Sequence, residues 1–284
     1  MFQYAFAFAL SKTLNVETVL DFTWFEAVKN HTNVTPRKFE LGAFKTDYAE
    51  ASEEDLKKVV SQKNSSLKEK ILWSAFKLKK FKPKKNKVTQ IVAHKFYKNL
   101  MTQKDYYYYD GYFQNEKYFI QQRAQLLEQF SLREELDGKN QELLNKIFDT
   151  NSVSLHVRRG DYVTLECAKN QHGLCPIKYY EKAIKHIEKR VKNPHFYLFS
   201  DDLDWVVENL EINHPFKVVD LNKNKGAFDL ELMKHCKHNI TANSSFSWWG
   251  AWLNENPNKI VISPKKWNSQ KQKCEIVPKS WVKL

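Results

Sequence analysis

The order of apolar and polar residues changes rhythm near Asn151. Beyond it, short apolar runs alternate with stretches of helical period. Ser152–Val157, Phe196–Phe199, Phe216–Val219, His238–Thr241 and Lys259–Ile262 read as strands. Ile177–Val191, Leu203–Leu210, Asp229–Cys236 and Phe246–Leu253 read as the helices between them. Such alternation needs crossover connections, and crossovers make a parallel sheet. Residues 151–284 are therefore expected to form a Rossmann-like domain, with its boundary near Gly138–Asn151. Ahead of it the pattern is less regular. Met1–Leu14 has Phe2, Phe6, Ala9 and Leu10 at helical spacing, Thr18–Phe22 reads as a strand, and Phe119–Leu132 reads as helical. Residues 1–150 are expected to form an amino-terminal α/β domain.

Polar clusters fall at the carboxyl ends of the predicted strands, where open α/β sheets bind ligands. Arg158-Arg159 follows the first strand, Ser200-Asp201-Asp202 the second and Asn243-Ser244-Ser245 the fourth. Arginine presents a planar fork of donors that matches phosphate oxygens. Gly160 beside the pair allows close approach of backbone and ligand. Asn243, Ser244 and Ser245 suit a helix start, whose open N–H groups also suit a phosphate. Each cluster alone fits an ordinary cap or turn, whereas three at one sheet edge favour a site. Asp202-Leu203-Asp204 has the D-x-D form that binds Mn²⁺ elsewhere, but helical spacing would point the two acids about 200° apart. A helix start is the better reading, and no metal ligand is assigned. Trp248, Trp249 and Trp252 at helical spacing read as core rather than ligand platform.

Composition narrows the class. The 284 residues are 42% hydrophobic and 14% aromatic, enough for sizeable cores. The net charge of +13 favours anionic partners such as nucleotides or a membrane surface. Ten lysines and one acid, Glu69, lie between Lys63 and Lys87. That segment reads either as a solvated covering helix or as a basic amphipathic helix in peripheral contact with an anionic membrane. No apolar run is long enough to span a bilayer, and the first residues lack a signal-peptide pattern, so a cytoplasmic protein is expected. Cys167, Cys175, Cys236 and Cys274 form no C-x-x-C pair, and free thiols are expected rather than zinc ligands. A basic nucleic-acid-binding protein is the rival class, but the aromatic–basic platform of a single-strand binder is missing. No nucleic-acid partner is expected.

Four segments, taken in order, carry a family resemblance. They are Met1-Phe2-Gln3-Tyr4-Ala5, Gly111-Tyr112-Phe113-Gln114, His156-Val157-Arg158-Arg159-Gly160-Asp161-Tyr162 and Asn243-Ser244-Ser245-Phe246-Ser247-Trp248-Trp249. The chain resembles the bacterial α-1,2-fucosyltransferases, glycosyltransferase family 11, over nearly its whole length. The resemblance implies an α/β fold of two Rossmann-like domains in the GT-B-type architecture, with residues 151–284 binding GDP-fucose and residues 1–150 on the acceptor side. It implies inverting transfer of L-fucose from GDP-β-L-fucose to the 2-hydroxyl of a terminal β-galactoside, without cofactor or metal. The acceptor would be a surface glycan such as lipopolysaccharide, O-antigen or capsule, lipid-linked at the inner membrane face.

By the same resemblance, Arg158 and Arg159 hold the pyrophosphate, with Arg158 nearest the departing oxygen, and His156 shapes the strand end and positions the donor. Related fucosyltransferases place an acid near the guanosine sixteen residues before a Ser/Thr-Phe pair, which here gives Asp229 with Ser245 and Phe246. Ser200, Asn243 and Ser244 complete the expected donor site, and Tyr112, Phe113 and Gln114 the acceptor side. Negative charge grows on the leaving diphosphate, so fixed positive charge is the largest expected aid. The base is open between Asp161, whose neighbouring arginines should weaken it, and Glu166. Family members carry a strand and a Gly-Gly-Leu-Gly-Asn-Gln turn ahead of this Met, so a truncated start is expected. A shortened homologue that binds the GDP-sugar without transferring it is the alternative.

Overall fold

The computed structural model describes residues 1–27, 38–59, 87–89, 93–102, 108–165, 169, 173–269 and 275–284. The Lys63–Lys87 segment (Lys87 apart), Glu166, Cys167 and Cys274 lie outside them. The chain divides into two compact units, one of Met1–Asn30 with Asp47–Leu126 and one of His31–Thr46 with Leu127–Leu284. Residues 127–150 thus pack with the second unit rather than with the first half of the chain.

In the first unit, α1 (Phe2–Leu14) buries Phe2, Ala5, Phe6, Ala9 and Leu10 and ends at Asn15 in the left-handed conformation. The expected strand after it is short: β1 (Val19–Leu20) pairs in parallel with β2 (Ala49–Glu50). α2 (Thr23–Ala27) and α3 (Glu53–Val59) follow β1 and β2. β3 (Lys87–Thr89) pairs in parallel with β4 (Tyr108–Asp110). The centre is aromatic. Phe6 stacks on Phe113 at 4.0 Å and meets Tyr118 edge-on at 5.2 Å. Such pairs contribute about 0.5–1.5 kcal/mol beyond their burial. The stretch expected as one helix from Phe119 follows a 3-10 turn, Glu116–Tyr118, and is itself a second 3-10 turn, Ile120–Gln122, and then α4 (Arg123–Gln129).

The second unit carries the regular half of the chain. α5 (Gly138–Asp149) leads into β5 (Asn151–Val157) and the short α6 (Gly160–Thr164). Then come α7 (Ile177–Glu188), β6 (Pro194–Ser200), α8 (Leu203–Asn209) and β7 (Phe216–Val218). α9 (Gly226–His235), β8 (His238–Ile240), α10 (Ser245–Leu253), β9 (Val261–Ser263) and β10 (Val282–Lys283) complete it. The six strands form one sheet in the order β10-β9-β8-β5-β6-β7, and every pairing is parallel. Counted from β5, this is the doubly wound order 3-2-1-4-5-6.

Strand alternation assigns the two faces. Val153, Leu155 and Val157 of β5, with Phe196 and Leu198 of β6, join Tyr180, Ala183, Ile184 and Ile187 of α7 in one core. Tyr197 and Phe199 point the other way, into a core with Leu143 and Ile147 of α5 and Leu232 and Met233 of α9. A sheet covered on both faces explains why its inner strands β5, β6, β8 and β9 are almost continuously buried. Trp248, Trp249 and Trp252 are core, and Trp248 donates its Nε1–H to the Ile276 carbonyl at 2.8 Å. α9 and α10 meet at Gly250, where a Cβ would stand 2.9 Å from Met233 Cβ. Cys175 and Cys236 are free thiols. No helix among the described residues is long and apolar enough to cross a membrane.

Candidate functional site

The strand order reverses between β5 and β8, and a doubly wound sheet opens a crevice at the carboxyl ends of those strands. Arg158 and Arg159 leave the tip of β5, and Asn243, Ser244 and Ser245 lie beyond β8 at the start of α10. Register decides what meets the arginines. Val157 pairs with Ser200, so the residues just past β5 lie beside those just past β6.

Arg158 is held by two carboxylates, Nη2 on Asp161 Oδ1 at 2.6 Å and Nη1 on Asp201 Oδ2 at 2.7 Å. Arg159 donates its backbone N–H to Asp201 Oδ1 at 2.8 Å and its Nε to Asp202 Oδ2 at 2.8 Å. Its guanidinium lies 3.8 Å from the centre of the Trp205 ring. Asp201 therefore ties both arginines to the neighbouring strand. Gly160 makes room for it, since a Cβ there would collide with the Asp201 carboxylate. Two cations thus stand among three carboxylates, and the arginines are oriented but also screened. The Asp202 carboxylate caps α8 by accepting from Trp205 N and pairs with Arg159, as expected of a helix start.

His156 lies one residue before the end of β5 and is 5% exposed. Burial, with the nearby Arg158 charge, lowers its pKa to about 3, so the ring is neutral at ordinary pH. Its Nδ1 is buried without a hydrogen-bond partner among the described residues. The ring lies 5.6 Å from Phe246, at a 50° tilt. Phe246 in turn borders Gly226 at the start of α9, where a Cβ would stand 3.5 Å from the ring. Asp229 is three residues further on, on the same helix face. Its carboxyl is pushed up to about 6 by burial, against the opposing effect of the bond from Asn222 at 2.8 Å.

The remaining predicted residues divide by what their polar atoms already do. Asn243 is 3% exposed; it donates to the Gly173 and Trp267 carbonyls and accepts from Cys175 Sγ at 3.3 Å. Its amide is thus engaged by the protein itself. Ser244 is the cap of α10, accepting from Phe246 N at 3.3 Å. Ser200 similarly accepts from Asp202 N at 2.9 Å. Ser245, the first residue of α10, is exposed.

In the first unit, Tyr112 is 63% exposed and Gln114 Oε1 lies 3.4 Å from His94 Nδ1. Phe113, expected on the acceptor side, is 3% exposed and stacked on Phe6, so its ring belongs to the core. The site thus gathers His156, Arg158, Arg159, Asp161, Asp201, Asp202 and Trp205, with Phe246 and Asp229 bordering it through His156 and Gly226. Asp201, Asp202 and Trp205 were missed as site residues, although the Ser200-Asp201-Asp202 cluster at a strand end signalled the two acids.

The second unit is an α/β domain whose doubly wound sheet carries paired arginines and a serine-capped helix at its switch point. The chain belongs to glycosyl transferase family 11, whose model matches residues 45–284. It is 36% identical, over its whole length and 96% of the relative's, to the O-antigen biosynthesis glycosyltransferase WbnK of Escherichia coli. An alpha-1,2-colitosyltransferase of Escherichia coli is 39% identical over 61% of each chain. The galactoside alpha-(1,2)-fucosyltransferase 1 of Rattus norvegicus is 29% identical over 48% of this chain and 39% of its own. The chain is thus a fucosyltransferase-like glycosyltransferase, as its motifs suggested.

Proposed function

We propose that this chain transfers L-fucose from GDP-β-L-fucose to the 2-hydroxyl of a terminal β-galactoside, inverting the anomeric carbon. The observation that carries the reading is the arginine pair at the switch point of a family 11 chain. In this reading the second unit, which includes residues 127–284, holds the donor, the first unit serves the acceptor, and the architecture is of the GT-B type with two Rossmann-like domains. The acceptor is a surface glycan, in keeping with the O-antigen role named for one relative. It is met at the inner membrane face, and no nucleic acid is involved.

The acceptor oxygen attacks fucose carbon 1 as the bond to the diphosphate breaks, and negative charge develops on the departing oxygen. Arg158 supplies the compensating charge by exchanging a carboxylate for a β-phosphate oxygen. Arg159, stacked on Trp205, holds the diphosphate, and Ser245 donates to it. The exchange leaves Asp161 without its cation, and Asp161 or Glu166 then accepts the acceptor proton. No cofactor or metal takes part.

Colitose is the second donor sugar to consider, because one relative is named for its transfer. Colitose is fucose without its 3-hydroxyl, so GDP-colitose would present the same nucleotide to the same residues. The test is GDP release from each donor, with lactose or N-acetyllactosamine and with EDTA present, and NMR assignment of the product linkage. An α-1,2-fucosyl product in EDTA supports the reading. Preference for GDP-colitose would change the sugar, and turnover restored only by Mn²⁺ would overturn the metal-free mechanism. GDP binding with no transfer to any galactoside would leave a binding protein.

A further inference from the structure

A buried polar chain runs from the start of α5 to the start of α9. Asp137 caps α5, and its Oδ1 accepts from both the backbone N–H and the side-chain amide of Asn140. Asn140 and Asn222 exchange two hydrogen bonds of 2.9 Å, each Nδ2 donating to the other's Oδ1. The second hydrogen of Asn222 Nδ2 goes to Asp229 Oδ1 at 2.8 Å. Asn140 and Asn222 are 1% and 8% exposed.

The arrangement has only one direction. A primary amide has two hydrogens, and both are used at each asparagine. Rotating either amide would aim a carbonyl oxygen at a carboxylate, at Asp137 on one side or Asp229 on the other. The pair is thereby locked by an acid at each end. A pair of apolar side chains would fill the same space at little cost to the fold, so a buried amide pair points to a role in specificity.

The chain ends on Asp229, whose Oδ2 has no hydrogen-bond partner among the described residues. Gly226, one helical turn earlier on the same face of α9, borders the ring of Phe246, and that ring also lies 5.6 Å from His156. An oriented carboxylate oxygen on the helix face that meets an aromatic ring suits a flat base with donors on its edge. Guanine offers two parallel donors, N1–H and the 2-amino group. Hypoxanthine offers only N1–H, and adenine presents an acceptor at N1.

We propose that Asn222 and Asn140 are positioning residues for donor recognition, holding the Asp229 carboxylate in the orientation that selects a purine bearing a 2-amino group. The inference rests on the reading of a guanosine diphosphate donor. It adds to that reading the pair of amides that makes the acid selective.

The experiment is calorimetric titration of the full chain with GDP, IDP, ADP and inorganic pyrophosphate. It compares the wild type with Asn222→Ala, Asp229→Asn and the double variant N140L/N222L. The wild type should bind GDP about tenfold or more tightly than IDP, the worth of one hydrogen bond to a charged group. Asn222→Ala should remove most of that preference while leaving pyrophosphate affinity unchanged. In turnover it should raise the donor KM about tenfold and leave kcat nearly unchanged, as expected for lost uniform binding. The double variant replaces both amides by apolar groups of similar shape, and so tests the idea even where the single variant is poorly folded. Folded variants that keep the wild-type GDP-to-IDP ratio would overturn the inference alone. A wild type that binds ADP as well as GDP would overturn the donor reading with it.

Discussion

Arg158 and Arg159 are adjacent in sequence and different in circumstance. Arg158 lies between Asp161 and Asp201, whereas Arg159 is fixed by Asp202 and the Trp205 ring. Lysine at position 158 would keep the charge but lose the planar fork that reaches two acids at once. Arg158→Lys is therefore expected to lower kcat/KM by about 10²-fold or more, the usual cost of an electrostatic donor at a leaving group. Activity within about threefold of wild type would reassign the charge to Arg159. Asp229 sets a different dependence. Its pKa of about 6 means that the accepting carboxylate is lost as pH falls through that value. Donor KM should rise below about pH 6, and Asp229→Asn should flatten the profile at a uniformly high KM. Stability carries the opposite sign: the fold holds this proton more tightly than the unfolded chain, whose value lies near 3.8. This group's contribution to stability therefore falls as pH rises from about 4 to about 6, and urea midpoints across that range would show it. The arginines could be read from local sequence alone. Asp201 could not, because its role depends on the register that sets Ser200 beside Val157.

At the level of elements, strands and helices of the second unit follow their apolar periods closely, since each buries a face against one continuous sheet. β5, expected at Ser152–Val157, spans Asn151–Val157, and α10, expected at Phe246–Leu253, spans Ser245–Leu253. The first unit was less legible for a physical reason. Its described strands are two or three residues long, too short to show a period, and its core is held by aromatic contacts rather than by a wide sheet. Helix packing also depends on details that periodicity does not report. Gly250 looks like a weak point in α10, and alanine there gains about 1 kcal/mol in helix propensity. The added methyl would, however, meet Met233 Cβ at 2.9 Å, an atom tied to its backbone. Overpacking of that kind costs about 1–3 kcal/mol, so the clash wins. Gly250→Ala should lower the urea midpoint, and an unchanged or raised midpoint would mean that α9 and α10 separate freely.

Across the whole second unit, the site depends on segments far apart in the chain. The tips of β5 and β6, the start of α9 and the start of α10 meet only because the sheet is wound in the order 3-2-1-4-5-6. A nucleotide diphosphate that engages Arg158 and Asp229 would bridge these elements, and binding to the folded state alone stabilises it by mass action. At a concentration about a hundredfold above Kd the gain is about 2.7 kcal/mol, which raises the melting temperature of a domain of this size by roughly 5–10 °C. GMP has the base without the second phosphate, and pyrophosphate has the phosphates without the base. Each should shift the melt less than GDP when all are compared at one concentration. Arg158→Ala should abolish the pyrophosphate shift and spare much of the GMP shift, and Asp229→Asn should do the reverse. Equal loss of both shifts in either variant would mean that the two ends of the crevice do not act separately. The donor would then be read as one rigid unit rather than as a base and a diphosphate.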